Sequence, residues 1–394
     1  MKKLMQLYIH IPFCVKKCAY CDFLSFAADE KTQEAYVAAL KKELEFYGSK
    51  YSDRYISTIF IGGGTPSWLD EGAMASVMEC VYQNFEVASD AEITIECNPG
   101  TVSDAKFAVY KEIGINRLSI GLQSANDEEL KTLGRIHTFE QFLRTYDKAR
   151  HHGFYNINVD LMSALPGQTP EGFISSLKKV IRLKPEHISA YSLIIEAGTP
   201  FYEKYQKEVE LREAGYETTM LPSEEDEYLT TKRTQELLQE KGYHWYEISN
   251  FAKPGKECRH NIGYWKRADY LGVGLGAASL IDNVRYSNTG DLSAYITYFT
   301  NENWLNHKSS VFSREVISRE AQMEEFMFLG LRMVDGFRRE EFEKNFGVAI
   351  EGVYGTELKR LQQEELLLQK EGRIRLTEKG IDVSNYVLSQ FLQS

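Results

Sequence analysis

Short β-branched runs alternate with longer stretches of helical spacing over the first half of the chain. Val, Ile, Tyr and Thr crowd into residues 7–11, 58–61, 92–95, 117–121, 156–162 and 187–193, most of them bounded by Gly, Pro or Asn. Between these runs the apolar period lengthens. Over 36–47, Val37, Leu40, Leu44 and Tyr47 fall on one helical face. Residues 104–113, 139–150 and, more weakly, 173–181 repeat that period. Strand and helix in this order predict parallel strands joined by right-handed crossovers. Six such units predict an α/β fold, a partial (β/α)6 TIM-like barrel, rather than a closed barrel of eight.

Beyond residue 200 the pattern changes. Residues 203–227 are dense in charge and predict a helical excursion, 224–241 a helix and 243–251 a strand. Residues 258–290 are rich in Gly and aromatic side chains. From about 318 helical spacing dominates, and 372–380 adds a short strand, which predicts a winged-helix-like end. The expected domains are therefore a barrel over 1–235, an α/β extension over 236–315 and a winged-helix-like domain over 316–394.

The polar residues that break this pattern fall at the ends of strands. The loop from Cys14 to Cys21 follows the first run, Gly62-Gly63-Gly64-Thr65-Pro66 the second, Glu96 the third and Gln123 the fourth, and Asp160 lies near the end of the fifth. In βα barrels the chemistry sits at the C-terminal ends of the strands, so these residues are expected on one rim.

Composition narrows the classes. A chain of 394 residues has room for two or three domains. Its 46 Lys and Arg against 57 Asp and Glu give a net charge of −11, which argues against binding nucleic acid through phosphate contacts. The C-terminal segment is itself more acidic than basic, so the expected winged helix is better suited to covering the barrel mouth. No apolar stretch is long enough for a membrane span or anchor, and the N-terminus lacks a signal h-region. A cytoplasmic, reducing setting follows, in which clustered thiols point to metal or catalysis.

The chain has six cysteines, and three of them form Cys14-x3-Cys18-x2-Cys21. Three thiolates from one loop can hold three irons of a [4Fe–4S] cluster, where ordinary ferredoxin clusters use four. The fourth iron would stay open to a ligand, as an open position does at catalytic zinc. A zinc site with His10 as fourth ligand is the alternative. It is disfavoured because His10 lies on the strand, four residues before Cys14. Cys80, Cys97 and Cys258 are expected to be structural. The Gly62–Gly64 run permits close approach of backbone to a ligand, or simply a tight turn. Arg135 would offer a planar fork to a carboxylate.

The cysteine spacing resembles the signature of the radical S-adenosylmethionine (SAM) superfamily. That resemblance implies that SAM chelates the open iron and that reduction cleaves it to a 5′-deoxyadenosyl radical. It also implies SAM contacts for Gly64, Thr65, Pro66, Glu96, Gln123, Arg135 and Asp160, with Tyr8 and Tyr20 packing beside the cluster loop. More narrowly, Tyr8-Ile9-His10-Ile11-Pro12-Phe13-Cys14, Cys18-Ala19-Tyr20-Cys21-Asp22-Phe23, 62–67, 96–99, 121–124 and 160–168 (DLMSALPGQ) are similar to the HemN/HemW family.

One branch of that family is the oxygen-independent coproporphyrinogen III oxidase. It typically carries a fourth cysteine two residues after the third, where this chain has Phe23, and a longer segment ahead of the cluster. The other branch consists of haem chaperones, whose HNxxYW motif matches His260-Asn261-Ile262-Gly263-Tyr264-Trp265. A neutral His260 could then ligate haem, with Tyr264 and Trp265 against the porphyrin and Arg259 or Lys266 at a propionate. The family's Gly-x-Gly-Ala-His segment reads Gly274-Leu275-Gly276-Ala277-Ala278 here, so no histidine is offered at that place.

The resemblance therefore implies a haem chaperone carrying a [4Fe–4S] cluster and SAM, with haem and an apo-haem protein acceptor as partners. It leaves homodimerisation and SAM turnover open. The alternatives are a radical SAM enzyme acting as a coproporphyrinogen oxidase or as a haem-modifying methyltransferase.

Overall fold

The computed structural model describes residues 2–301 and 312–392. Six parallel strands form its centre: β1 (Lys3–Ile11), β2 (Arg54–Gly63), β3 (Val87–Cys97), β4 (Arg117–Gln123), β5 (Ile157–Ser163) and β6 (His187–Ser192). They lie side by side in chain order. Helices α1 (Glu30–Lys50), α2 (Glu71–Asn84), α3 (Asp104–Glu112), α4 (Asp127–Thr132), α5 (Phe139–His151) and α6 (Pro170–Arg182) fill the crossovers. This is the expected partial TIM-like barrel. The third strand runs longer than its apolar core, because Val87 pairs with Ile56 ahead of a register shift.

Local sequence sets where the helices begin. The Asp29 side chain accepts the Thr32 N–H at the start of α1, and Thr138 with Gln141 forms a reciprocal capping box on α5. Thr169 caps α6 and places Pro170 in the first turn, where a missing N–H costs nothing. Their apolar faces then close over the outer side of the sheet. Tyr36, Leu40 and Leu44 of α1, Phe107 and Tyr110 of α3 and Phe173 and Leu177 of α6 are all buried in one core with Leu7, Ile59, Ile95 and Ile120.

The expected helical excursion over 203–227 is interrupted. Helix α7 (Pro200–Glu213) ends before Gly215, whose φ is +76°, and α8 (Glu224–Glu240) starts only after Ser223 caps it. A left-handed residue ends the first helix, and residues 214–223 between the two, with Glu217 as their single charge, are turn and coil. The single strand expected over 243–251 is a pair, β7 (His244–Glu247) and β8 (Asn250–Ala252), antiparallel and attached to β6. Next come the short helix α9 (Arg259–Trp265) and strands β9 (Tyr270–Val273), β10 (Ala278–Ile281), β11 (Val284–Asn288) and, after α10 (Leu292–Thr300), β12 (Phe312–Val316). These join the opposite edge, with β9 parallel to β1. Residues 244–316 thus extend both edges of one twelve-stranded sheet.

The C-terminal part has its own core around Met327, Phe342, Ile350, Leu361 and Ile374. Its order is α11 (Arg319–Gly330), β13 (Phe337–Arg338), α12 (Arg339–Phe346), α13 (Glu351–Gln363), β14 (Leu367–Lys370) and β15 (Arg373–Leu376), followed by α14 (Glu378–Asp382) and α15 (Ser384–Ser389). The small sheet is ordered β13–β15–β14, the layout of a winged helix. Glu325 of α11 ties this part to the sheet edge, accepting from Arg267 at 2.7 Å and Arg285 at 2.8 Å.

Candidate cluster and cofactor site

A cavity of about 370 Å³ opens at the C-terminal ends of the strands and descends into the barrel. Cys14, Cys18 and Cys21 line its mouth together with Lys16 and Lys17. The loop that carries them is pinned at both ends. Cys14 N–H donates to Phe26 O at 3.0 Å, and Ala19 N–H to Leu133 O at 3.1 Å. Burial pushes the Cys21 thiol up, while Lys17 and the Phe23 backbone pull it down.

The loop after β2 packs directly on the cysteine loop. Gly64 N–H donates to Ile11 O at 2.9 Å and Thr65 N–H to Phe13 O at 2.8 Å. A Cβ at Gly64 would stand 2.8 Å from Phe13 O and 3.0 Å from Cys14 Sγ, so only glycine fits there. Thr65 Oγ1 lies 3.4 Å from Cys14 Sγ and accepts from Asn98 Nδ2 at 2.7 Å. Pro66 is buried and opens the short turn Pro66–Trp68.

Glu96, at the end of β3, accepts the Gly63 N–H at 3.0 Å. Burial, reinforced by Asp160, pushes its carboxyl up to about 8. Arg135 donates to Asn98 Oδ1 and Gly121 O, each at 2.6 Å, and its other terminal nitrogen lies 3.6 Å from Cys18 Sγ. Burial opposes its charge, yet Tyr20 and Cys18 beside it carry its pKa above the usual arginine value. Gln123 holds a φ of +73° at a register shift in β4 and accepts from Tyr191 OH at 2.9 Å. A left-handed glutamine is uncommon, and the conformation turns its amide into the cavity. Asp160 accepts from Asn158 Nδ2 at 2.7 Å, and burial raises its carboxyl. Cys14, Cys18, Cys21, Tyr20, Gly64, Thr65, Glu96, Gln123, Arg135 and Asp160 therefore surround one cavity.

Pro66 shapes the turn without lining this cavity, and two further sequence candidates lie elsewhere. Tyr8 packs its ring on Phe60, bonds His10 Nδ1 at 3.0 Å and faces a second cavity. His260 is buried on α9, and both ring nitrogens are engaged, Nδ1 with Thr58 Oγ1 at 2.7 Å and Nε2 with Tyr264 OH at 3.0 Å. Burial, then Arg117, lowers its pKa to about 3, so it is neutral. Arg259 donates to Asp90 O at 2.7 Å. The second cavity, of about 430 Å³, lies between Tyr264, Trp265 and Tyr270 on one side and Phe328 and Leu329 of α11 on the other, with Arg267 and Arg285 at its edge.

The thiols fit a cubane better than a single ion. A cubane takes each thiolate on a different iron, so the three sulfurs need not converge on one point. Among the described residues no three His, Cys, Asp or Glu side chains do converge so. His10 does not fit as a zinc ligand, because its Nε2 bonds Leu24 O at 3.0 Å and its Nδ1 bonds Tyr8. Cys97 reaches the cavity wall, but its Sγ turns to Ile95 O and burial drives its pKa up. Cys80 and Cys258 are buried away from the loop.

Sequence reasoning missed the supporting layer. Asn98 bridges Thr65 and Arg135, Tyr191 holds Gln123, and Arg117, Ser119, Asn158 and Ser189 line the deeper wall. The signal was present as alternation. Arg117, Ser119, Gly121 and Gln123 share one face of β4, as do His187, Ser189 and Tyr191 of β6.

Comparison with known proteins agrees with this geometry. The radical SAM superfamily model matches residues 8–180, and the HemN C-terminal domain model matches 317–383. The chain is 36% identical over 392 residues to the heme chaperone HemW of Lactococcus lactis, covering 100% of this chain and 98% of that protein. The chain belongs to the HemW family. The heme chaperone HemW of Bacillus subtilis is 36% identical with 98% of each chain covered, and that of Escherichia coli 42% identical with 69% of each covered. Among solved structures, the coproporphyrinogen III oxidase HemN of Escherichia coli superimposes with a TM-score of 0.82 at 25% identity, covering 99% of this chain and 90% of that one. The HemW likeness thus extends through both the barrel and the C-terminal part. Among the described residues no helix is long and apolar enough to cross a membrane.

Proposed function

We propose that this protein is a haem chaperone that binds haem and passes it to an apo-haem protein in the cytoplasm. The observation that carries this reading is the full-length likeness to proteins named as haem chaperones. In this reading residues 1–235 hold a [4Fe–4S] cluster on Cys14, Cys18 and Cys21. They also hold SAM between Gly64, Thr65, Glu96, Gln123, Arg135 and Asp160, with Tyr20 against it, Pro66 shaping the turn and Tyr8 backing the wall. When bound, the cluster supplies an electron to SAM and an open iron to chelate it. Residues 236–315 bring the haem motif, and 316–394 cover it.

The second cavity suits a porphyrin. It offers flat aromatic walls at Tyr264, Trp265 and Tyr270, and at its edge Arg267 and Arg285, both paired with Glu325, whose place a propionate would have to take. Helix α9 separates the two cavities, with Asn261 facing the first and Tyr264 and Trp265 the second. His260 would hold the haem iron only by giving up the bond between its Nε2 and the Tyr264 hydroxyl. The test is an anaerobic absorption spectrum with haem added. The wild type is expected to show bound haem transferable to an apo-acceptor, and His260→Ala a shifted, weakened spectrum. Absence of haem binding by the wild type would sink the reading. Coproporphyrinogen III with SAM and reductant is expected to give no protoporphyrinogen IX. A second copy of the chain is the other partner in this reading, and sedimentation with and without cluster reads it out.

A further inference from the structure

The interior of this barrel is polar well below the rim. In an eight-stranded barrel, bulky branched residues fill that space. Here the alternate residues that face inward are Arg117 and Ser119 of β4, Asn158 and Asp160 of β5, and His187 and Ser189 of β6. The cavity beneath the cysteine loop therefore continues inward to Arg117. Arg117 begins β4 and Gln123 ends it at the rim. At about 3.3 Å per residue their backbones are separated by roughly 20 Å.

Arg117 is unusual at that depth. It is 2% exposed, and its Nε is buried without a hydrogen-bond partner. Among the described residues its guanidinium has no hydrogen bond or ion pair, only charges at longer range. The acids of that layer are committed elsewhere. Glu92 accepts Arg259 N–H at 3.2 Å and His260 N–H at 3.1 Å at the start of α9. Asp160 is held by Asn158 and Ser119. His187 bonds Asn158 Oδ1 at 2.6 Å and Tyr246 OH at 2.8 Å, and burial with Arg117 keeps it neutral. Asn250 Oδ1, on the same wall, is also buried without a partner. A buried cation left without direct hydrogen bonds costs several kcal/mol in general, so an anion that pairs with it is strongly favoured.

We infer that the inner end of the cavity is a subsite for a small monocarboxylate, gripped by Arg117. The planar guanidinium presents paired N–H groups that match a carboxylate edge. Arg117 is the one cation at the inner end, with Glu92 and Asp160 already near it, so each added negative charge is less well matched than the last and a monoanion is favoured over a dianion. The depth below the rim selects a free small molecule over an arm of a large one. This inference does not rest on haem binding: the subsite lies in the first cavity, although Glu92 beside Arg117 also holds the backbone N–H of His260.

The experiment is thermal melting and titration calorimetry of the purified full chain with sodium propionate, propionamide and inorganic phosphate. Propionate is expected to bind and raise the melting temperature. Propionamide, its neutral counterpart of the same shape, is expected to do neither, and phosphate to do less than propionate. Arg117→Gln is expected to abolish the propionate shift while melting no lower than the wild type, since it removes a buried charge without breaking a hydrogen bond. Ser119→Leu, which fills the inner end and leaves Arg117 in place, is expected to lose the shift too, and stands in if Arg117→Gln does not fold. A wild type indifferent to propionate, an equal response to propionamide or phosphate, or a shift retained in either variant would overturn the proposal.

Discussion

Replacing Gly64 by alanine isolates the contact between the glycine turn and the cysteine loop. The added Cβ would meet Phe13 O at 2.8 Å, Cys14 Sγ at 3.0 Å and Pro12 C at 3.0 Å. Two of those atoms are backbone, so no side-chain rotation relieves the clash. Neither loop can retreat freely, because Gly64 N–H and Thr65 N–H are bonded to Ile11 O and Phe13 O. Overpacking of this kind costs about 1–3 kcal/mol. Spent on displacing Cys14, that corresponds to a roughly five- to hundredfold loss of the competent loop geometry, at about 1.4 kcal/mol per factor of ten. The assay is iron and sulfide per chain after anaerobic reconstitution, followed by SAM affinity. Both are expected to fall together in Gly64→Ala. Gly352→Ala is the control: it sits in α13 with nothing within 4 Å of its Cβ, and should keep its cluster and gain about 0.5–1 kcal/mol. Full iron with unchanged SAM affinity in Gly64→Ala would refute the reasoning.

Three further outcomes follow. Cys14→Ala is expected to lose cluster iron while far-ultraviolet circular dichroism stays unchanged, and full iron retention would remove Cys14 from the ligand set. Glu43 is fully buried and accepts from Gly274 N–H, Asn288 Nδ2 and Tyr295 OH, yet burial raises its carboxyl to about 7. An unfolded glutamate titrates near ~4.3, so this group's contribution is complete below that pH and is lost as pH rises through 7, by about 4 kcal/mol in all. Glu43→Gln should therefore flatten urea-denaturation stability between pH 5 and 8, and an unchanged slope counts against the assignment. Gly336→Ala puts a Cβ 1.9 Å from Ile374 O at a φ of +58°, so limited proteolysis should release the C-terminal part while the barrel stays resistant; equal resistance of both parts contradicts that.

The cluster loop was legible because its information is local. Three thiols within eight residues bring themselves together whatever the rest of the chain does, and the six apolar runs mark their own strands by composition. The order of Gly64, Glu96, Gln123 and Asp160 along the chain places them on one rim once the strands are parallel, because every crossover returns to the same end of the sheet. Phe23 likewise speaks from its position alone.

Other features depend on segments far apart in the chain. The second cavity needs Tyr8 of β1, Tyr264 of α9 and Phe328 of α11, and no spacing rule joins them. His260 looks like a free ligand in sequence, and only packing reveals Thr58 and Tyr264 on its two nitrogens. The splitting of residues 244–316 between the two edges of the sheet is likewise invisible, since edge choice is settled by which hydrogen-bonding row stays open after the central strands pair. Sequence by itself determined the three-thiol loop and the order of strand and helix along the barrel, both set by short-range spacing. Tertiary structure decided which polar side chains are left without partners, Arg117 above all, because partnership inside a barrel depends on what every other strand brings to the same depth.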